Sequence, residues 1–540
     1  MFVQDTKSKR DGKTYHTYLV RESFHTPKGS RSRTVCNITE LPEETRNIIA
    51  ASLKGKKFVP VEAMELSGAL DFGGIAVLRD AWERFGLDRL LPECSARTRG
   101  LIQAMTFSRI LFPCSKLALG QQAEGTVLAQ ACGLPPDEAF DKNELYCAMD
   151  EITGRWAATE KQLYRKAMPE PPTLVLYDLT SVYFEGDGPE KMAQFGYSRD
   201  HRTDRHQILL AVATDAEGIP IHIEVLRGNR GDTTTLQGLL AALRRRFGFK
   251  EAVFAFDGGM SSKLNLEHLE AQQLQYVTRL SSSTLGSLLK ELPADQQMAL
   301  GDHANLIEVT HEGRRHVIAG GSWRAEHDAA RRNARIQKAE IELARLAAID
   351  RKKPNAQKLA SQVGRTLQRM SAHKYFCYEV DADGKLLWSR RQDIIQTEQK
   401  TDGWYLLQTS LSKEQASSQQ VLHHYKNLLE VEEAFCQLKS YLEVRPVFHS
   451  RPDRVRNHVR ICFLAYWITS RLGQEWCKCG YNGQPIDLIR RLQKIRLGHV
   501  TYMGQSLRCL MTSIPKELNS ILIQIQVTRL FAKPPAWAST

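Results

Sequence analysis

Two aspartates and a glutamate are the residues of this chain best placed by type and context to do chemistry. Asp178 closes the apolar run Thr173-Leu174-Val175-Leu176-Tyr177, and Asp257 closes Ala252-Val253-Phe254-Ala255-Phe256. Glu432 has Tyr425 seven residues before it and Lys439 seven residues after it. On a 3.6-residue helix the three fall on one stripe, drifting by about 20° per heptad. A tyrosine, a carboxylate and an ammonium on one face can hold a metal ion and grip phosphate oxygens beside it. Two carboxylates about 4 Å apart repel by about 4 kcal/mol at an effective dielectric of about 20, so a trio stays ionised near neutral pH only with cations between its members. Hard oxygen ligands select Mg²⁺ or Mn²⁺, and two such ions can activate water or a 3′-hydroxyl and stabilise the leaving oxygen of an in-line phosphoryl transfer. The chemistry indicated is metal-dependent phosphoryl transfer on nucleic acid. No Gly-x₄-Gly-Lys-Ser/Thr loop is present, which argues against an NTPase.

The 540 residues exceed one ordinary core, so several structural units are expected. A formal charge of +13, from 74 basic and 61 acidic residues, favours a polyanionic partner, although charge alone would suit RNA or a membrane surface as well. The N-terminal Met1-Phe2-Val3-Gln4-Asp5-Thr6-Lys7 lacks the apolar segment of a signal peptide, and Ile461 to Ile468 is too short to span a bilayer. Eleven scattered cysteines argue against a disulfide framework, and Cys477-Lys478-Cys479 has no second pair at zinc-ligand spacing. A reducing cytoplasm is the expected setting, with no membrane partner.

The carboxylates need elements to position them. Tyr15 to Arg21 and Ser32 to Asn37, flanking a turn at Pro27-Lys28-Gly29-Ser30, read as a hairpin. Leu66 to Met168 reads as helices; Leu101 to Phe112 and Leu117 onward fit a helix-turn-helix or, more simply, two packed helices. Pro169-Glu170-Pro171-Pro172 is a stiff boundary. Strands are expected at 173–178, 206–214, 219–226, 252–257 and 275–280, with helices at 234–247 and 262–273. This β-β-β-α-β-α-β order is the connectivity of an RNase H-like sheet, in which the first strand, the fourth strand and a later helix meet at a metal site. Asp178, Asp257 and Glu432 occupy those three places. The roughly 150 residues before Glu432 exceed a closing connection. Helices at 329–350 and 357–370, joined at Lys353-Pro354-Asn355, and a hairpin at 375–389 read as an inserted basic α+β subdomain, with arginines 331, 332, 335, 345, 365 and 369 as candidates to face DNA.

With these pieces in view the chain resembles the Asp-Asp-Glu (DDE) transposases of bacterial insertion sequences, in the branch with a Tyr-x₂-Arg-x₃-Glu-x₆-Lys signature. The matching segments are Tyr177 to Glu185, Phe256-Asp257-Gly258-Gly259-Met260, Gly228 to Asp232, Asp402 to Tyr405, Tyr425 to Lys439, and Arg445 to Tyr466. The resemblance implies that Asp178, Asp257 and Glu432 are the catalytic, metal-binding triad, holding two Mg²⁺ or Mn²⁺ ions. It implies that Tyr425 and Lys439 hold phosphates of the transposon end, and Arg205, which precedes a strand facing the first, is a further DNA-backbone candidate. It also implies an endonuclease acting in DNA recombination and transposition: double-stranded DNA with terminal inverted repeats, a target DNA, a homodimer on DNA, and work at the bacterial nucleoid. Two positions depart from the branch: Leu428 stands at the arginine of the signature, and Gly258 follows Asp257 where arginine is expected.

The expected layout is an N-terminal hairpin region (1–60), a helical DNA-binding or dimerisation domain (61–168), a first part of an RNase H-like core (169–280), an α+β insertion (281–402), a second core part with the catalytic helix (403–475), and a helical C-terminal tail (476–540). Glu433 and Glu430 lie off the Tyr425–Lys439 stripe, while His449, His458, Trp323, Trp388 and Trp404 have core packing as their default role, with base stacking open to the tryptophans. The rival readings are a DDE nuclease that only cuts and a degenerate, non-catalytic DNA-binding derivative. Terminal inverted repeats and a target duplication in the flanking DNA would separate them from a transposase.

Overall fold

The computed structural model describes all residues except 28, 57, 59, 137–139, 232–234, 248–251, 293–305, 350–355, 382, 504 and 539–540. Threonine-, tyrosine- and valine-bearing segments at the N-terminus form β1 (Phe2–Arg10), β2 (Lys13–Thr26) and β3 (Gly29–Asn37), an antiparallel sheet with one strand more than the expected hairpin. The extra strand turns at Asp11-Gly12, both at positive φ, the pair that a tight hairpin turn favours. β4 (Met64–Asp71) then joins a separate sheet described below.

The helices between residues 73 and 167 pack as a buried layer. The helix Ala96–Leu111 carries Leu101, Ile102, Met105, Phe107 and Ile110 into the core, and the next helix, Leu119–Ala123, has five residues. Neither has an exposed recognition face, so packed helices, not a helix-turn-helix, describe this region. The long helix Pro452–Lys478 belongs to the same core through Ile461, Phe463, Trp467 and Leu472.

The central sheet is built on β5 (Leu174–Tyr183), β6 (Gln207–Thr214), β7 (Pro220–Arg227), β8 (Val253–Phe256) and β9 (Gln275–Arg279). β5, β6 and β7 pair antiparallel in sequence, whereas β8 pairs parallel to β5 on its other side and β9 parallel to β8. A turn at Asp215 links β6 to β7, where its carboxylate accepts the N–H groups of Glu217 and Ile219 and Gly218 takes φ +78°. The helix Leu236–Phe247 makes the β7-to-β8 crossover and buries Leu236, Leu239, Leu240 and Leu243 on one face. The opposite face is covered by the helix Leu428–Cys436 through Val431 and Ala434 and by the helix Pro452–Lys478. Parallel strands covered on both faces read as the continuous apolar runs found in the sequence.

β10 (Leu306–His311), β11 (Arg314–Gly320) and β14 (Trp404–Thr409) extend this sheet to eight strands in the order β10-β11-β14-β9-β8-β5-β6-β7, so a hairpin from within 281–402 adds to the sheet. The helices Ser322–Ala347 and Ala356–Arg369 pack with β12 (Phe376–Val380) and β13 (Leu386–Arg390) around their own core of Ile336, Leu343, Leu359, Val363, Leu367 and Tyr375. Their expected joint at Lys353-Pro354-Asn355 lies outside the described residues. Beyond 476 the chain is not helical throughout: β15 (Arg496–Tyr502) and β16 (Gln505–Met511) form a sheet with β4. Among the described residues no helix is long and apolar enough to cross a membrane.

One core feature has a measurable consequence. Lys116 is buried with its ammonium 3.5 Å from His458 Nδ1, and no ion pair to it is found among the described residues. Burial, then the nearby Arg109, pushes its pKa down to about 7 from 10.5. The same surroundings hold His449 and His458 neutral, well below their ordinary range, which makes both packing residues. Because the folded value lies below the unfolded one, the folded protein binds fewer protons between about 7 and 10.5; stability rises with pH across that window and the full penalty applies below it. Lys116→Met is expected to raise Tm at pH 6 by about 2–4 °C or more, a gain that shrinks toward pH 10 in thermal melts.

Candidate active site

The register of β5 on β8 pairs Leu176 with Ala255 and Tyr177 with Phe256, so the next residue of each strand is a carboxylate, Asp178 beside Asp257, at one end of the sheet. Asp178 is half-buried, within β5, with one carboxylate oxygen accepting the Leu179 N–H at 2.7 Å. Asp257 is exposed, where β8 ends and a short 3₁₀ turn, Gly258–Met260, begins. Glu432 reaches the same place from the helix Leu428–Cys436. Leu428, Val431, Ala434 and Phe435 face inward, which leaves Glu432 exposed at the helix flank.

The electrostatics record the convergence. Burial first, and then the charges of Asp257 and Glu432, push Asp178 up to about 7, against the Leu179 N–H and Arg199, which lower it. Glu432 is raised by burial and by Asp257. Tyr425 is pushed up to about 12 by burial and by Asp257, while Arg279 hydrogen-bonds it and opposes the rise. Tyr425, Asp257, Asp178 and Glu432 therefore share one neighbourhood.

Carboxylate oxygens fit a hard divalent cation in donor chemistry. The raised pKa of Asp178 is the physical sign of the fit, because a cation there would relieve the repulsion that opposes its charge. As the side chains stand, no group of three or more His, Cys, Asp or Glu residues among those described is close enough to hold one ion, at this end of the sheet or at Cys477 and Cys479.

The stripe from Tyr425 to Lys439 is not one continuous α-helix. The helix Ser418–Lys426 ends at Asn427, the helix Leu428–Cys436 follows, and Gln437–Tyr441 is a π-helical turn closed by Leu442 N–H donating to the Gln437 carbonyl at 2.9 Å. The wider turn takes Lys439 off the heptad line. Its ammonium donates to Asp200 Oδ1 at 2.8 Å. Arg205 is tied to Glu185 at 3.0 Å and Asp204 at 3.4 Å in the β5–β6 loop. Glu433 accepts a hydrogen bond from Gln437, and Glu430 lies beside Gly218, both away from the aspartates. Trp404 is buried and Trp388 packs edge-on against Phe376, whereas Trp323 is exposed and stacks on His327.

Sequence reasoning missed three arginines. Arg199 faces Asp178 from the β5–β6 loop, its N–H held by Ser181 Oγ at 2.8 Å. Arg279 ends β9, one strand from Asp257, and Arg324 stands 5.3 Å over the ring of Tyr405, itself 5.8 Å from Tyr425. Arg279 and Arg324 have as local signal only their position at the end of a strand and the start of a helix, and Arg199, in a loop, has neither. Arg279, Arg324, Arg331 and Arg335 line a cleft of about 710 Å³ that Trp404 closes from behind, while the neighbouring Arg332 is buried against Asp402 at 2.6 Å. Of the other arginines on that face, Arg345 pairs with Glu342.

Comparison with known proteins gives a family match: the model of the transposase DDE domain matches residues 169–468. No curated protein matches. Among solved structures, the chain is similar to one from the cryo-EM structure of a piggyBac transposase synaptic complex with hairpin DNA. That likeness has a TM-score of 0.38 and 9% identity, over 78% of this chain and 76% of that one.

The raised pKa of Asp178 gives a test that needs no substrate. Its folded value of about 7 lies above the ordinary 3.8, so ionising it opposes folding; the penalty is absent below about 3.8, grows with pH and is full above about 7. Asp178→Asn keeps the shape and the Leu179 contact. It is expected to raise the Tm of the metal-free protein at pH 8 by about 2–4 °C or more, with the gain vanishing toward pH 4. A Tm difference that does not change with pH would show that the Asp178 carboxyl is not held above its ordinary range.

Proposed function

The chain belongs to the DDE transposase family, and from that premise we propose that it is a DNA transposase that cuts transposon ends and joins them to target DNA from an RNase H-like core. The order β9-β8-β5-β6-β7, with β5 to β7 antiparallel and β8 and β9 parallel to β5, supports that reading of the core. The observation that carries the function is the β5–β8 register that sets Asp178 beside Asp257, where burial first, and then the charges of Asp257 and of Glu432 from the covering helix, oppose the ionisation of Asp178. In this reading the three are the catalytic residues and would hold divalent cations, Mg²⁺ or Mn²⁺. When bound, the ions supply the positive charge that activates the attacking oxygen and stabilises the leaving one.

The chain's own residues then orient the DNA. Tyr425, half-buried and hydrogen-bonded to Arg279, presents its hydroxyl next to Asp257. Lys439 lies one π-turn beyond the catalytic helix and supplies a phosphate contact, with Arg205 as a further backbone contact on the β5–β6 loop. Arg279 and Arg324 supply cations where Leu428 and Gly258 do not. The layout proposed is the sheet at 169–280 and 403–475 as the core, the 281–402 segment as an insertion, and the region 61–168 as a DNA-binding or dimerisation unit. A homodimer acting on terminal inverted repeats at the bacterial nucleoid follows from the family reading.

The test is cleavage of a labelled duplex bearing the terminal repeat that flanks the gene, in Mg²⁺. Asp178→Asn, Asp257→Asn and Glu432→Gln are each expected to lower cleavage at least about a hundredfold, on the order of removing one preorganised electrostatic group, while gel-shift binding stays within about twofold. Wild-type cleavage by any one of the three would remove that residue from the site.

A further inference from the structure

Asp200 is a buried charge outside the three carboxylates. Its side chain is 4% exposed, and a single oxygen, Oδ1, accepts from Lys439 Nζ at 2.8 Å and forms an ion pair with Arg445 Nη1 at 2.7 Å. The other oxygen is buried and takes no hydrogen bond among the described residues. The turn that carries it is tightly built. Arg199 N–H donates to Ser181 Oγ on β5, Arg202 N–H donates to Ser198 Oγ, and His201 N–H donates to the Ser198 carbonyl. His201 closes it at φ +57°, a left-handed conformation that non-glycine residues adopt only where surroundings impose it.

Both cations come from the chain that follows the catalytic helix, Lys439 from the π-turn and Arg445 just beyond it. Fixing two cations through one shared oxygen holds them side by side, and the group remains net positive: two cations and one anion, with Arg199 adjacent. Lys439 keeps two further N–H donors and the guanidinium keeps its outer edge, 28% of the side chain being exposed. A planar fork next to an ammonium suits one phosphodiester of DNA.

We propose that Lys439 and Arg445 form a two-point clamp for one DNA phosphate, and that Asp200 is the positioning residue that sets their spacing. The proposal rests on the reading of Lys439 as a phosphate contact; Arg445 and Asp200 are additions to it. The protonation of Lys439 supports the role of Asp200. Burial lowers its pKa, Arg445 and Arg199 lower it further, and Asp200 alone among the groups facing it raises it. Without that carboxylate the ammonium gives up its proton at lower pH, and the clamp loses a charge.

The experiment uses the full chain without divalent metal and measures binding of a fluorescent duplex bearing the flanking terminal repeat, across salt and between pH 6 and 9. Arg445→Ala and Lys439→Ala are each expected to weaken binding and to lower the slope of log K against log salt by about one unit. Asp200→Asn is expected to weaken binding about tenfold, more at pH 9 than at pH 6, while the wild type changes little; Asp200→Glu recovers part of the loss. Combined with Lys439→Ala, the Asp200→Asn change should add less than its effect alone. Tighter binding in Asp200→Asn would overturn the proposal by making Asp200 a competitor of phosphate. Normal binding in a folded Arg445→Ala would also overturn it, even if Asp200→Asn did not fold. If Lys439→Ala binds normally, the phosphate role of Lys439 falls together with the clamp. If only Lys439→Ala is impaired, that role stands and the clamp alone fails.

Discussion

The parallel pairing of β5 with β8 is the constraint on which the site depends. Parallel neighbours cannot be joined by a tight turn, so the chain leaves the sheet, forms the helix Leu236–Phe247 and returns. Both faces must then be covered, and the helix Leu428–Cys436 that covers the second face is the one that carries Glu432. The register that aligns Tyr177 with Phe256 makes two carboxylates follow side by side where β8 ends against the middle of β5. Placing three negative groups there has an electrostatic cost that the fold only partly offsets, through the Leu179 N–H and Arg199. Binding polyanionic DNA at such a site without added cations would compound that cost, so the folded chain is incomplete in charge by construction.

Much of this was legible because it is local. The apolar runs ending in Asp178 and Asp257 are β5 and β8, and the leucines at 236, 239, 240 and 243 face inward as their spacing requires. What was not legible is non-local. β4 finds β15 more than four hundred residues away, and no periodicity in Met64–Asp71 announces a partner; the same pairing explains why the C-terminal region is not simply helical. β1 was missed despite a local signal, the Asp11-Gly12 turn, because the strand before it is polar and almost wholly exposed. Lys439 was misplaced for a different reason. Heptad reasoning assumes one helical period, whereas Gln437, Leu438 and Leu442 are all buried, and a turn closed five residues apart is what accommodates them.

The 74 lysines and arginines overstate the cations free to meet DNA. Arg332 is matched by Asp402, Arg345 by Glu342, Arg390 by Glu340 and Arg454 by Asp150. The exposed ones among these pairs add little stability, but all of them remove their cations from any diffuse attraction. The positive groups that bear on the carboxylate end are a small set brought in from four separate stretches: Arg199 from the β5–β6 loop, Arg279 from β9, Arg324 from a helix of the 281–402 segment, and Lys439 with Arg445 from beyond the catalytic helix. Composition points to a polyanion; only the fold selects which cations meet it.

The two departures from the family signature follow from the same geometry. Leu428 is only 8% exposed and packs into the core at the start of the helix Leu428–Cys436, where a guanidinium would have to be desolvated. Gly258 abuts the neighbouring strand so closely that a Cβ would lie 2.6 Å from the Arg279 carbonyl oxygen, so no side chain of any charge fits without moving β8 from β9. Both positions therefore exclude arginine on steric or solvation grounds. The residue whose backbone closes off Gly258 is also the one whose side chain reaches Tyr425. An arginine distant in sequence thus stands beside both Gly258 and Tyr425, a proximity that no linear motif records.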